Sequence, residues 1–298
     1  MTEARQARQE RAQERSRAIR VVLWAILAAN WAVAAAKVAL GLAIDSTAMT
    51  ADGLHSFIDG GSNVIGLVAM HFASQPADHE HPYGHQKFEA LAALAIGVMI
   101  GMGVLELGRM AWRAIVLGVQ PQVGPEAVLV MVGTLAVNLA VTRVERSWGQ
   151  KLGSALLLAD AKHTLSDVFV TGAVLASLGM SWLGVRRADG VVALGVLLFV
   201  AWTGWTIIRQ AVGILADSAR IEPQKIRDAV LALPDVLAVH DIRSRGMEGS
   251  VYVDLKIDVD ADASVESAHK LSDAVEETLT RAFPEIVDVV VHVEPRAR

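Results

Sequence analysis

TAMTADGLHSFIDGGSNVIGLVAMHFA, residues 47–73, is apolar and long enough to cross a bilayer, yet His55 and Asp59 stand in it one helical turn apart. A spanning helix needs about 20 mostly apolar residues, and a charged side chain at its centre costs about 2.5–3.5 kcal/mol on insertion scales. The same pattern returns a hundred residues later: ADGLHSFID (51–59) and ADAKHTLSD (159–167) both read A-D-x-x-H-[S/T]-x-x-D. At a spacing of four, His55 with Asp59 and His163 with Asp167 each project from one helical face. Two such helices brought together offer two imidazole nitrogens and two carboxylates. That set suits tetrahedral Zn²⁺, with Fe²⁺, Co²⁺, Mn²⁺ and Cd²⁺ as competitors. A lone polar residue in a span often only hydrogen-bonds a neighbouring helix. Two His–Asp pairs at one spacing are too costly for that, and read as a metal site. Asp52 and Asp160, one turn nearer the N-terminal ends of their helices, read as lining an aqueous cavity.

Composition places the rest of the chain. Hydrophobic residues make up 53% of it and aromatics 5%, and the mean hydropathy is +0.40. A soluble domain has no need of so much apolar surface. Six candidate spans follow at 19–43, 47–72, 88–112, 124–144, 152–181 and 189–213, the fifth interrupted by polar residues. The chain has no cysteine, which excludes disulfides and thiolate metal sites. The first residues, MTEARQARQERAQERSRAIR, mix arginines with Glu3, Glu10 and Glu14, unlike a transit peptide, and no cleavable apolar core follows. They read as a helical cytosolic tail. Positive charges near the span ends favour a cytosolic N-terminus, and six spans return the C-terminus to the same side, although Arg186 and Arg187 fall outside. The expected domains are a tail at 1–18, an all-α transmembrane domain of six helices at 19–213, and a small cytosolic α+β domain at 214–298.

In the last segment, VYVDLKIDVDA (251–261) alternates apolar with polar residues, the period of a strand with one buried face. SVESAHKLSDAVEETLTRAF (264–283) reads as a helix and VDVVVHVEP (287–295) as another strand. Upstream, EPQKIRDAVLALP (222–234) has Pro223 near a helix start and Pro234 at its end. The order αββαβ predicts a ferredoxin-like sandwich with its helices on one sheet face.

Further metal-ligand candidates surround these elements. In QPADHEHPYGHQKFE (75–89), Asp78, His81 and His85 form the preferred set in a histidine-rich loop. His240, His269, His292 and Glu294 mark the tail domain, with His292 and Glu294 two apart on one strand face. Gly97 and Gly101 form a small-xxx-small pattern that suits close helix contact, weak support for a dimer.

Taken together, HSFID, PADHEHPYGHQKFE, ADAKHTLSD, AVHDIRSR and VVVHVEP resemble the cation diffusion facilitator family over nearly the whole chain after the N-terminal tail. The resemblance implies a homodimeric antiporter that exports divalent transition metals, zinc first, from the cytosol in exchange for protons, and not an enzyme. It implies a transport site at His55, Asp59, His163 and Asp167, a loop site at Asp78, His81 and His85, and a regulatory tail site at His240, His269, His292 and Glu294. It further implies a salt bridge between protomers from Lys87 to Asp217, and residence in a bacterial inner membrane with both termini cytosolic. The expected partners are a second copy, divalent ions, protons and lipid, with no nucleic acid. Two positions depart from the family pattern. Lys256 stands where zinc-regulated relatives carry a bridging histidine, so the tail site is expected to hold one ion or none. Lys162 stands where some relatives place a large apolar gating residue.

Two rival classes fit less well. Zinc peptidases often show HExxH and keep an open coordination position, whereas this chain has no HExxH and its repeat supplies a closed set of four. A metal sensor or channel has no need of paired ligands at mid-membrane with proton-competing atoms.

Overall fold

The computed structural model describes residues 2–43, 56–57, 60–117, 125–182 and 188–296. The chain divides into two compact units, Met1–Val212 and Gly213–Arg298.

The first unit is helical. Its long elements are α1 (Thr2–Ala43), α2 (Gly61–Ala73), α3 (Lys87–Leu117), α4 (Pro125–Leu152), α5 (Ala155–Trp182) and α6 (Ala188–Leu215), the last running on into the second unit. Among the described residues four helices are long and apolar enough to cross a membrane, through Gln13–Leu40, Lys87–Leu105, Val128–Leu152 and Leu194–Leu215. Against the six spans read from the sequence, α2 is apolar but only 13 residues long. Most of the remainder of that stretch, including His55 and Asp59, lies outside the described residues. α5 has the length, but Asp160, Lys162 and Asp167 interrupt its apolar run.

Packing follows an inside-out logic. Ile19, Leu23, Met70, Ile96, Leu156, Leu157 and Ile207 form the buried centre of this unit. Large apolar side chains also cover its outside: Trp112, Leu129, Trp202 and Trp205 are each more than 60% exposed. An apolar exterior of this extent is costly in water and suited to lipid. α3 and α6 approach closely at Gly97, since a Cβ there would lie 2.8 Å from Ile208 Cγ1, whereas one at Gly101 meets nothing within 4 Å among the described residues. The small-residue pattern thus serves, at Gly97, a contact within the chain.

α4 and α5 form a hairpin whose turn is set locally. Gly153 takes φ +57°, the left-handed conformation that ends a helix. Ser154 then caps α5, its Oγ accepting from the Leu157 amide at 3.2 Å. The same hydroxyl donates to Glu89 Oε1 at 2.6 Å. Arg15 of α1 donates to Glu89 Oε2 at 3.0 Å and to the carbonyls of Leu152 and Gly153 at 2.6 and 2.9 Å. α1 runs unbroken from the arginine-rich segment into its apolar span, so Arg15 belongs to the packed unit.

The second unit adds α7 (Pro223–Leu231), β1 (Ala238–Met247), β2 (Ser250–Val259), α8 (Val265–Ala282) and β3 (Ile286–Pro295). The sheet order is β1-β2-β3, with β1 antiparallel and β3 parallel to β2. The parallel pair requires the crossover that α8 supplies. Pro223 opens α7, and Ser264 caps α8 by accepting from the Ser267 amide at 3.1 Å. Val251, Val253, Leu255, Ile257 and Val259 turn inward against Ile226, Val230, Val275 and Leu279 of the two helices. The opposite sheet face therefore carries the polar set, including Lys256 and Asp258. A bulge between His240 and Arg243 breaks the β1 register, and Asp241 within it takes φ +51°.

Candidate metal centres

α5 carries one half of the expected transport site. Asp160, His163, Thr164 and Asp167 follow one another at helical spacing on a single face. His163 Nε2 lies 4.0 Å from Asp167 Oδ2, and the two side chains are 15% and 44% exposed. Both ring nitrogens of His163 are buried with no hydrogen-bond partner among the described residues. A buried polar atom without a partner loses its hydration, so an imidazole in this state is suited to receive a ligand. The other half, His55 and Asp59, lies outside the described residues, as does Asp52. Asp160 is 1% exposed, buried among protein groups instead of lining an aqueous cavity. It accepts from Asn63 Nδ2, while Asn30 Nδ2 donates to Asn63 Oδ1 at 3.1 Å. Lys162 turns away toward α6, donating to Gln210 Oε1 at 2.9 Å.

The loop between α2 and α3 brings Asp78, His81 and His85 together, with ligand atoms of all three within 4.8 Å of one another. Asp78 Oδ1 accepts from the amides of Glu80 and His81 at 3.0 and 2.7 Å, an Asx-type turn that fixes the carboxylate. The His81 amide is the main cause holding the Asp78 carboxyl below its ordinary range. Asp78 lies 3.4 Å from His81 Nδ1 and 3.4 Å from His85 Nε2. His85 is buried, its Nδ1 3.1 Å from the Pro76 carbonyl. With the proton on Nδ1, that contact leaves the Nε2 lone pair directed at the cluster, the second-shell arrangement of a ligating histidine. Phe88 stacks on His85 at 5.8 Å and orients the ring.

In the tail unit, His240, Asp258 and Glu294 converge with ligand atoms within 4.8 Å of one another. His240 Nε2 lies 2.9 Å from Asp258 Oδ1 and 3.6 Å from Glu294 Oε2, and His292 Nε2 lies 3.4 Å from Glu294 Oε1. His269 is elsewhere: it sits exposed on α8, 3.8 Å from Asp273, and α8 packs on the opposite sheet face. The sheet register places Lys256 between His240 and His292. Its Nζ lies 3.0 Å from Glu294 Oε1 and 3.2 Å from Asp241 Oδ2, so an ammonium already neutralises part of this acidic set. Glu294 and Asp241 hold the Lys256 ammonium above its ordinary range, and Lys256 holds Asp241 below its own. Lys87 opens α3, while Asp217 follows α6 at φ +56° and belongs to the other unit.

Three acidic residues escaped the sequence reading. Asp258 counts there only as an outer position of an alternating strand. Glu89 ends a polar loop, and Glu145 hides among Arg143, Arg146 and Lys151. An acid set within the basic end group of an apolar helix is the signal that marks Glu145. In the structure Glu145 is fully buried and Glu89 is 1% exposed.

Comparison with known proteins agrees over both units. Residues 23–216 match the cation efflux transmembrane domain, and residues 219–296 match the cytoplasmic domain of cation efflux proteins. The cation-efflux pump FieF of Klebsiella pneumoniae is 32% identical over 259 residues, covering 84% of each chain. FieF of Escherichia coli O1:K1 / APEC is 31% identical over the same length and coverage. Among solved structures, a MamM C-terminal domain is 30% identical, covering 25% of this chain and 91% of its own, at a TM-score of 0.24. A CzrB chain is likewise 30% identical, covering 26% and 99%, at a TM-score of 0.25. The match spans the helical unit with its apolar exterior and the mixed sheet beyond it, and the chain belongs to the cation efflux family, the cation diffusion facilitators, as an integral membrane protein that exports metal cations.

Proposed function

We propose that this chain is a homodimeric antiporter exporting a divalent transition metal, Zn²⁺ foremost, from the cytosol in exchange for protons. The transport ligands are His55, Asp59, His163 and Asp167, held between the second and fifth of six spans. The observation that carries the reading is His163: an imidazole on α5, both nitrogens buried with no hydrogen-bond partner among the described residues, beside Asp167. Neutral imidazole and ionised carboxylate bind metal, and protons compete for the same atoms. Ion release toward the outside is then favoured by protonation, and the protons are carried inward as the bundle rocks back. Imidazole favours Zn²⁺ over Mn²⁺.

Around this site, Asp78, His81 and His85 form a loop site on the cytosolic side. Residues 1–18 are an arginine-rich cytosolic segment, 19–213 the transport domain, and 214–298 a cytosolic dimerisation domain. Lys87 and Asp217 pair between protomers, and the protein resides in a bacterial inner membrane with both termini inside. Lys256 makes the tail cluster a weak metal site, because a cation inside it opposes a second.

Metal flux into proteoliposomes carrying a pH gradient tests the reading, with Zn²⁺, Fe²⁺ and Mn²⁺ compared and Asp167→Ala as control. Zn²⁺ flux that follows the gradient and vanishes in the variant is expected. Flux of a different metal overturns the ligand-softness argument alone, and gradient-independent flux overturns antiport.

A further inference from the structure

Beside the proposed transport pair lies a second buried acidic feature. Glu145 of α4 is fully buried, and Asp160 of α5 is 1% exposed. The two residues meet at the hydroxyl of Thr164. Thr164 Oγ1 sits 3.1 Å from Glu145 Oε2 and 3.2 Å from the Asp160 carbonyl oxygen. Ser62 and Asn63 of α2 complete the polar contacts to Asp160. The ionisable groups acting on the pair are His163 and Asp167, and no lysine or arginine is among them in the described residues. Glu145 Oε1 is buried and has no hydrogen-bond partner at all among those residues.

Two buried carboxylates on neighbouring helices of a membrane domain, without a lysine or arginine partner among the described residues, are expensive unless something positive joins them. A buried oxygen with no donor aimed at it is the atom such a charge would meet. The available donors are all oxygen, two carboxylates with a hydroxyl beside them, which is the chemistry of a weakly held divalent cation and not of a tight structural site. Asp160 lies three residues before His163 and seven before Asp167, so the pair continues the ligand stripe of α5 by one helical turn.

We propose that Glu145 and Asp160, with the Thr164 hydroxyl, form an oxygen-lined subsite that the exported divalent cation occupies on its way to or from the His163–Asp167 pair. The proposal rests on the transport site argued above. Weak oxygen ligation next to a tighter imidazole site gives the ion a place to enter without trapping it there.

Zn²⁺ flux in proteoliposomes, measured against Zn²⁺ concentration at several pH values, tests the subsite. Glu145→Gln keeps the shape and removes the charge, and is expected to raise KM about tenfold with the maximal rate within about twofold of wild type. Glu145→Asp, which retains a carboxylate one methylene shorter, falls between the two. It serves as the main variant if the glutamine form does not fold. In detergent, equilibrium Zn²⁺ binding to the full-length His163→Ala/Asp167→Ala protein is expected to lose one further ion when Glu145→Gln is added. An unchanged KM and unchanged stoichiometry in folded variants overturn the subsite. A shifted pH profile at unchanged KM overturns it in favour of a proton held between the carboxyls. Wild-type transport by His163→Ala/Asp167→Ala overturns the transport site itself, independently of Glu145.

Discussion

Arg15 and Glu89 form an ion pair at 3.0 Å in which the carboxylate is 2% exposed and the guanidinium 26%. The same guanidinium closes on the α4–α5 turn through the Leu152 and Gly153 carbonyls. One side chain from the N-terminal segment thus fastens α1, the start of α3 and the hairpin corner.

Arg15→Ala leaves the Glu89 carboxylate buried, with Ser154 as its main remaining donor. Breaking one partner of a buried pair costs about 3 kcal/mol or more. Thermal unfolding in detergent is expected to show a clear drop in Tm. Arg15→Leu combined with Glu89→Leu should lose less than the single variant, because no buried charge is left unpaired. Equal losses in both would mean that the pair contributes through packing alone.

Gly97→Ala should separate α3 from α6, since its methyl would stand 2.8 Å from Ile208 Cγ1. Overpacking of this kind costs about 1–3 kcal/mol. Gly101→Ala meets nothing among the described residues and is the neutral control. A matched pair of melting curves decides it: identical curves would show that the helices part at no cost.

Asp78→Asn should weaken the loop cluster toward Zn²⁺ by at least about tenfold, because the site loses its one carboxylate while both histidines stay. Zn²⁺ titration of the full-length protein should show one equivalent moving to lower affinity. A titration superimposable on wild type would remove Asp78 from the ligand set.

The tail ion pairs give a pH dependence of defined sign. Asp241 is depressed by Lys256, so its contribution is present above the unfolded pKa and lost as pH falls through the folded value, below about pH 4. Lys256 is raised, chiefly by Glu294 and then Asp241, so its contribution is present below the unfolded pKa and lost as pH rises through the folded one, above about pH 10. Hydrogen-exchange protection of the three strands, wild type relative to Lys256→Gln, should be flat between these limits and converge at both extremes. A ratio that changes near neutrality would place the control outside the Lys256–Asp241 and Lys256–Glu294 pairs.

The period of two in residues 251–259 and the caps at Pro223 and Ser264 are legible because each is a local rule read from neighbours in sequence. The paired His–Asp repeat is legible for the same reason, with helix spacing translating directly into a shared face. What stays hidden depends on contacts between distant segments. Asp258 joins His240 only once β1 and β2 are in register, and the bulge that turns Asp241 toward Lys256 leaves no mark in composition. Glu145 reads as one charge among a basic end group until the α4–α5 hairpin sets it against Asp160. Arg15 likewise looks like one more arginine of a topogenic tail, and only tertiary packing shows it holding a corner.

The tail cluster draws its charges from all three strands, and this gives its assembly an order. The hairpin of β1 and β2 can form first and supplies Lys256 with Asp241 as counter-ion. β3 follows in chain order and joins β2 in parallel only after α8 has crossed over, so Glu294 arrives after the hairpin. Non-local pairing of this kind is the slow part of folding. Until then the lysine is half-paired and the β2 edge is bare, the geometry that invites pairing with a neighbouring nascent chain. The closed network is therefore a checkpoint of sheet assembly, satisfied only in chains whose β3 has docked.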